Sequence, residues 1–400
     1  MNIATGDLLP AADADAGAAP RGSSNIRHLS RTELSGGGQI VIRGQYAFVG
    51  HQYGPEGTTI LDISDPRSPK TLSVIMCAHP WSHTHKARII GGDIMVVNSE
   101  REPRKGNLRE YPDGGFRIYD VKDKSNPKLI TFQKTHGKGV HRFDIDDNYA
   151  YISTEMDGYI GNILVIYDIR NPSKPTEVGR WAMENQHVAG GETPHPKGTQ
   201  HRLHHAMRCG NQMFAACWDS GIGIIDVSDI TKPKTLARYE YNPPHTEQTH
   251  TFLGVPHSIG GRRIAVSTEE ERANRGPDHG KPHAPLRTWD VTDPTKPKIL
   301  CTYELPESAT PYDANVVRFG THQLREIVDT DNLLYVTWFA GGLRIMDIGD
   351  PANPKERGYF IPKPSEGANA PWTNDVAMDE RGLLFVTDKK RGLDVIEFKG

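Results

Sequence analysis

One phrase recurs along the chain and constrains the fold more than any other feature. It is a run of apolar residues that ends in aspartate and is followed by a turn, usually with proline. Six copies are present: ILDISDPRSPK (60–70), IYDVKDKSNPK (118–128), IYDIRNPSKP (166–175), IIDVSDITKPK (224–234), TWDVTDPTKPK (288–298) and IMDIGDPANPK (345–355). A degraded seventh copy, LDVIEF (393–398), places Glu397 in the register of Asp62. The marker thus advances from 62 to 397 in six steps of about 56 residues, which predicts seven similar units in 400 residues.

Each unit has the sequence features of four short β-strands. In the first unit, YAFVG (46–50), GTTILDIS (57–64) and KTLSVI (70–75) are rich in apolar and β-branched residues, with turn residues between them. A run that opens with a polar residue precedes them, and helical periodicity is absent. Four strands repeated seven times predict an all-β fold, a seven-bladed β-propeller.

The two ends of the repeat array complement each other. The last unit stops after LDVIEFKG and lacks a fourth strand. The segment SNIRHLSRTEL (24–34), which precedes the first complete unit, has the pattern of a fourth strand. We therefore expect the N-terminal strand to complete the last blade and close the ring, which removes an open sheet edge. An open β-solenoid, the alternative, would not need a spare strand. The predicted organisation is a flexible tail over residues 1–23 and one propeller domain over 24–400.

The segment LVIYD at 164–168, together with its counterparts in the other units, resembles the LVIVD repeat, a propeller repeat of bacteria and archaea. The resemblance runs through most of residues 35–400. It implies a propeller architecture and says almost nothing about activity, because a fold does not determine a function.

Composition excludes several classes of function. A net charge of -3 gives no basic excess for nucleic acid or a membrane surface, and no apolar run is long enough to span a bilayer. The four cysteines form no C-x-x-C pair, so they predict neither a disulfide framework nor a cysteine zinc site. A cytoplasmic location is the default expectation, with a removed presequence left open. We expect a small-molecule partner, with no nucleic acid and no membrane.

The 18 histidines are the unusual feature of the composition, and 16 of them fall in segments that a propeller places on one face. Five share one register, at the start of the innermost strands of units two to six: His85, His141, His201, His250 and His322. Innermost strands line the central channel, so these positions predict a ring of imidazoles that holds a divalent metal ion. Iron, manganese or zinc suits such a nitrogen-rich set best, and copper is a further candidate.

Carboxylates share a second register. VVNSE, YISTE and AVSTE end the second strands of three units and place Glu100, Glu155 and Glu269 at the level of the histidines. A carboxylate behind a metal-binding histidine accepts its other ring N–H and fixes its orientation. The alternative is that the histidines only bond backbone and water in a wet channel. Five histidines in register with three carboxylates favour the metal site.

These residues favour a metalloenzyme. In the leading hypothesis the ion acts as a Lewis acid on a carbonyl, carboxylate or lactone oxygen of a small polar substrate, in lyase or hydrolase chemistry, and His204, Glu326 or Tyr312 exchanges protons. The first alternative is a non-haem metal oxygenase that uses the same histidines. The second is a propeller that serves as a non-enzymatic interaction platform.

Overall fold

The protein is an all-β structure, with 56% of its residues in strands and 2% in helices. The computed structural model describes residues 3–4, 19–102, 111–195, 200–241, 248–271 and 282–400. The chain forms two compact units. The middle unit comprises residues 45–63 and 70–245, and the terminal unit comprises residues 1–44, 64–69 and 246–400. Among the described residues, no helix is long and apolar enough to cross a membrane.

The N-terminal part of the terminal unit contributes four strands. They are β1 (Ile3–Ala4), β2 (Arg21–Gly22), β3 (Ile26–Ser35) and β4 (Gly37–Arg43). The two short strands β1 and β2 both lie inside the segment that the sequence predicts to be a flexible tail.

Within its described residues, the middle unit contains sixteen strands and one 3₁₀ turn, Val188–Gly190. The strands are β5 (Tyr46–His51), β6 (Glu56–Asp62), β7 (Lys70–Met76), β8 (Ser82–His83), β9 (Ala87–Ile90), β10 (Ile94–Arg101), β11 (Gly115–Asp120), β12 (Lys128–Lys134), β13 (His136–Ile145), β14 (Tyr149–Glu155), β15 (Asn162–Asp168), β16 (Thr176–Trp181), β17 (His201–Cys209), β18 (Gln212–Trp218), β19 (Ile222–Asp226) and β20 (Lys234–Tyr239). Consecutive strands pair antiparallel as meanders: β5-β6-β7, β9-β10-β11-β12, β13-β14-β15-β16 and β17-β18-β19-β20.

In the part of residues 248–400 that the structure describes, the terminal unit continues with ten strands and a 3₁₀ turn, Glu307–Ala309. The strands are β21 (Gln248–Ile259), β22 (Arg262–Glu270), β23 (Leu286–Asp290), β24 (Lys298–Tyr303), β25 (Leu333–Trp338), β26 (Gly342–Asp347), β27 (Lys355–Ile361), β28 (Thr373–Met378), β29 (Leu383–Asp388) and β30 (Arg391–Phe398). They pair as β21-β22-β23-β24, β25-β26-β27-β2 and β28-β29-β30-β3. The strand β3 therefore supplies the fourth strand of the sheet that ends the chain.

Burial on both faces of the sheets explains the continuous apolar runs of the repeat. In β15, Ile163 and Val165 contribute to one hydrophobic cluster and Leu164 and Ile166 to another. Because alternate strand residues point to opposite faces, a strand covered on both sides has no polar side. The apolar half of each repeated phrase therefore belongs to the core between sheets.

The repeated aspartate has a local role in the turn that follows it. The Oδ1 atom of Asp120 accepts the backbone N–H of Lys122, and Asp226 and Asp290 bond the residue two positions ahead in the same way. Aspartate stabilises turns by this self-contained bond, and the proline that follows cannot extend the strand. The marker aspartate is thus a structural residue of these turns.

Asp146 ties together the turn between β13 and β14. Its Oδ1 accepts the N–H groups of Asn148 and Tyr149, both at 2.8 Å, and its Oδ2 accepts the Tyr151 hydroxyl and the Arg208 guanidinium, both at 2.6 Å. Burial opposes ionisation, but these hydrogen bonds and Arg208 outweigh it and lower the pKa of Asp146 below its ordinary value.

We expect Asp146→Asn to destabilise the protein by about 1–2 kcal/mol at pH 7, because the charge-assisted bonds are lost at a partly exposed site. A folded-state pKa below the unfolded value gives stability above the unfolded pKa of about 4 that is lost as pH falls through the folded pKa. Urea unfolding of both proteins at pH 7 and pH 3 should show a smaller difference at pH 3. The exposed neighbour provides the control, Asp147→Asn, and an equal effect of the two changes would contradict this role of Asp146.

Candidate metal centre

The middle unit contains a cluster of three histidines and one glutamate, His83, His85, His141 and Glu100, which we call the middle cluster; all but the partly buried His141 are buried. One oxygen of Glu100, Oε2, lies 2.9 Å from Nε2 of His83 and 2.7 Å from Nδ1 of His141. The ring of His85 lies beside both other histidines, with ring centroids 4.8 Å from His83 and 5.2 Å from His141. One carboxylate oxygen therefore receives hydrogen bonds from two imidazoles.

Strand pairing brings these side chains together. At the end of β10, Glu100 pairs with His83 of β8 and with Gly139 of β13. Directly opposed residues of an antiparallel pair have adjacent side chains, so His83 and Glu100 meet. Gly139 has φ +98°, and a Cβ there would collide with the Ser99 carbonyl. A glycine is therefore required for β13 to approach β10 this closely.

The hydrogen bonds assign the protons of the middle cluster. Since the Glu100 carboxylate can only accept, His141 donates its Nδ1–H, and its Nε2 carries the lone pair that a metal ion needs. Burial lowers the pKa of His141 to about 4 against the opposing effect of Glu100, so this imidazole is neutral at pH 7. Burial disfavours the Glu100 carboxylate, but the interactions with His141 and His83 hold the pKa of Glu100 well below its usual range. Both groups are in the protonation states that bind metal.

The donor atoms converge closely enough to share an ion. One possible ligand atom from each of His83, His85 and Glu100 lies within 4.8 Å of the other two. Two histidines and a carboxylate are a set used by catalytic zinc and by non-haem iron. Asn98 spans the cluster: its Nδ2 donates to the Val140 carbonyl at 3.0 Å and lies 3.3 Å from Nδ1 of His85. The amide thereby links β13 to the segment between β8 and β9 that carries His85.

In β17 the structure places His204, and not His201, beside the middle cluster. The ring of His204 lies between His141, with centroids 4.7 Å apart, and Trp218, at 4.2 Å. His201 instead bonds the Ser220 hydroxyl and the Glu184 carbonyl with its two ring nitrogens. The pairing of β17 with β18 shifts register between His201 and His205, which changes the alternation that the sequence predicts.

The terminal unit contains a second cluster, His250, His322 and Glu270, which we call the terminal cluster. The two imidazole rings are 4.2 Å apart, and each Nε2 lies 3.9 Å from an oxygen of Glu270. His322 donates its Nδ1–H to the Asn374 carbonyl at 2.7 Å, which leaves the lone pair on Nε2. Both histidines of this cluster are buried and Glu270 is partly buried, so the cluster offers two imidazoles and one carboxylate.

The three predicted carboxylates differ in position. Glu100 accepts a hydrogen bond from His141, whereas Glu155 accepts the backbone N–H of Lys138 at 3.0 Å. Glu269 is fully buried in an ion pair with Arg287. The carboxylate beside the terminal histidines belongs to the next residue, Glu270, which the sequence reasoning missed. Three consecutive acids at 269–271 were the only signal for it.

The two other predicted proton-transfer residues lie in the terminal unit. Glu326 accepts amide hydrogen bonds from Gln39 at 3.0 Å and from Gln323 at 3.1 Å. Tyr312 is half-buried against Val317 and Ala340, and burial raises the pKa of its hydroxyl. Their proposed roles stay predictions.

The antiparallel meanders and the fold-level similarities define an all-β, propeller-like protein. Similar solved structures include a Mitotic Checkpoint Complex (12% identity, TM-score 0.60, 97% of this chain and 98% of that chain covered) and S. cerevisiae dbp5 bound to nup159 and gle1 (10%, 0.55, 96% and 96%). The computationally designed Ika8 protein is similar too (11%, 0.52, 92% and 98%). At these identities the similarity concerns the fold alone.

LVIVD repeats occur four times in the chain, as its sequence resemblance indicated. The repeat matches four segments, residues 37–75, 141–182, 209–240 and 326–360. No curated protein matches the chain.

Proposed function

We propose that this protein is a metal-dependent enzyme that binds a divalent transition metal, iron, manganese or zinc before copper, through its buried histidines. The observation that carries the proposal is the proton arrangement of the middle cluster. Glu100 accepts the Nδ1–H of His141, so the neutral imidazole keeps its lone pair on Nε2, and its ring lies beside that of His85. Buried imidazoles are the commonest metal ligands, and a carboxylate behind them sets their orientation.

The favoured chemistry is lyase or hydrolase chemistry on a small polar substrate. A bound divalent ion would supply Lewis acidity toward a carbonyl, carboxylate or lactone oxygen. His204, which contacts the ring of His141, is the best-placed residue of this chain to exchange a proton with substrate. The proposed enzyme is cytoplasmic, and its partner is a small-molecule substrate.

A second function, a non-haem metal oxygenase, rests on the ligand set itself. Two histidines and one glutamate occur together in each cluster, and this set with open positions is the one that non-haem iron oxygenases use. The identity of the metal separates the two functions.

For the whole chain we propose the seven-bladed ring that the repeat predicts. The antiparallel meanders of both units support it, and so does the pairing of β3 with β30. Strand pairing between the two ends is what closure of such a ring requires.

Elemental analysis of protein purified without a histidine tag tests the function. We expect about one equivalent of metal per chain, either as purified or after reconstitution. Iron or copper with oxygen consumption would favour the oxygenase, and manganese or zinc would favour lyase or hydrolase chemistry. A protein that still holds no metal after reconstitution would refute the proposal and leave the interaction platform as the better description.

A further inference from the structure

A cavity of about 480 Å³ lies in the terminal unit, and the proposed metal chemistry does not account for it. Three segments form its walls: residues 316–318, the loop 365–372 and the turn 390–391. Three of its lining residues are cationic, Arg318, Lys390 and Arg391, and one is acidic, Glu366. Arg318 is paired with Glu270 and Arg391 with Glu33, so Lys390 is the lining cation that is best placed to attract an anionic occupant.

The indole ring of Trp372 contacts two of these cations, Lys390 and Arg318. The Nζ atom of Lys390 lies 4.1 Å from the ring centroid of Trp372, and the guanidinium of Arg318 lies 5.7 Å from it. Arg318 also covers the ring of Phe339, at 4.0 Å. Cation–π contacts fix the position of a cation without neutralising its charge, so Lys390 is held at the cavity and can still pair with an anion.

The backbone around the cavity is held in place by a buried carboxylate. Asp388 accepts the N–H groups of Trp372 at 2.7 Å, Lys390 at 2.7 Å and Arg391 at 3.1 Å. The Lys389 N–H donates to the Trp372 carbonyl at 2.8 Å. The turn that carries the cations is therefore organised before any ligand arrives, which lowers the entropic cost of binding.

The inner wall of the cavity adjoins the terminal cluster. The buried guanidinium of Arg318 donates to Oε1 of Glu270 at 2.5 Å, and Glu270 lies 3.9 Å from Nε2 of both His250 and His322. An anionic group in the cavity would thus be separated from the two imidazoles by Arg318 and Glu270.

We propose that this cavity binds the anionic group, a carboxylate or a phosphate, of a small molecule, with Lys390 as its principal cationic contact. The inference deepens the proposed function by naming the substrate class, and it rests on that function only in calling the anion a substrate. Anion binding as such needs no metal.

The test uses chelator-treated full-length protein, so that the result does not depend on metal. Succinate and inorganic phosphate are titrated at constant ionic strength, and binding is followed by tryptophan fluorescence and calorimetry. We expect saturable binding that Lys390→Gln weakens about tenfold, as the loss of one charge-assisted contact predicts. The matched control is Lys355→Gln at an exposed lysine of β27, which should bind like the wild type. Trp372→Phe should remove the fluorescence change and keep the calorimetric signal.

Saturation with succinate alone would assign the cavity to carboxylates, and saturation with phosphate alone would assign it to phosphoryl groups. Absence of saturable binding for both probes overturns the proposal, and so does an equal loss in Lys390→Gln and Lys355→Gln. A protein that binds an anion but never binds metal would keep this inference and refute the proposed enzyme.

Discussion

Protein that carries His141→Ala is expected to keep its fold and to bind metal at least 100-fold more weakly than the wild type. The substitution removes the imidazole whose Nε2 lone pair is fixed by Glu100, and a lost ligand costs more than a lost orienting contact. The fold should survive because the His141 side chain is 19% exposed and belongs to none of the hydrophobic clusters described above. Metal titration monitored by calorimetry, with circular dichroism as the check on folding, measures both quantities.

Two further variants serve as comparisons for His141→Ala. Glu100→Gln keeps the size of the side chain but loses the charge, and it should weaken metal binding by about 10- to 100-fold. His136, at the start of the same strand β13, forms an ion pair with Asp157. His136→Ala should therefore leave metal binding unchanged. Unchanged metal binding in His141→Ala would place the metal elsewhere, and His250→Ala then tests the terminal cluster.

We expect Asp394→Ala to lower the free energy of unfolding by about 3–5 kcal/mol, which is the second large effect. Asp394 is 1% exposed in β30, and it accepts hydrogen bonds from Arg31 at 2.6 Å and His28 at 2.9 Å, both in β3. Its removal would leave the Arg31 guanidinium, 16% exposed, without its buried counter-charge. Since whole proteins are stable by only about 5–15 kcal/mol, much of the native stability would be lost.

A surface pair on the same two strands is the control. Arg27 and Glu397 form an ion pair with side-chain exposures of 52% and 30%. Glu397→Gln should therefore lower the free energy of unfolding by less than about 1 kcal/mol. Chemical denaturation of the three proteins compares them directly. If Asp394→Ala were as stable as Glu397→Gln, the pairing of β3 with β30 would contribute little to the native state.

The strands and their order follow from the sequence because their pattern depends on local chemistry. The turn aspartates such as Asp120 and Asp226 bond within two residues of themselves, and a strand such as β15 is apolar on both faces. Both signals repeat about every 56 residues, so even the spare strand at residues 24–34 could be matched to the incomplete last unit.

The candidate site was less predictable because its geometry depends on irregular strand pairing. The register shift between His201 and His205 moves His204 beside His141, and a second shift between Thr249 and Thr251 occurs at His250. A one-residue change of register reverses which face a side chain occupies. Sequence periodicity assumes regular alternation, so it identifies the strand that carries a ligand more reliably than the ligand itself.

The antiparallel pairing of β3 with β30 also has a mechanical consequence. Ile26, the first residue of β3, lies opposite Phe398, the last residue of β30. A stretching force applied between these two residues would pull on the nearest inter-strand hydrogen bond first and reach the others one after another, because antiparallel bonds run perpendicular to the strands. Bonds loaded singly break at a lower force than bonds loaded together in shear. The same contact that Asp394 stabilises against denaturant therefore offers little resistance to tension between the ends.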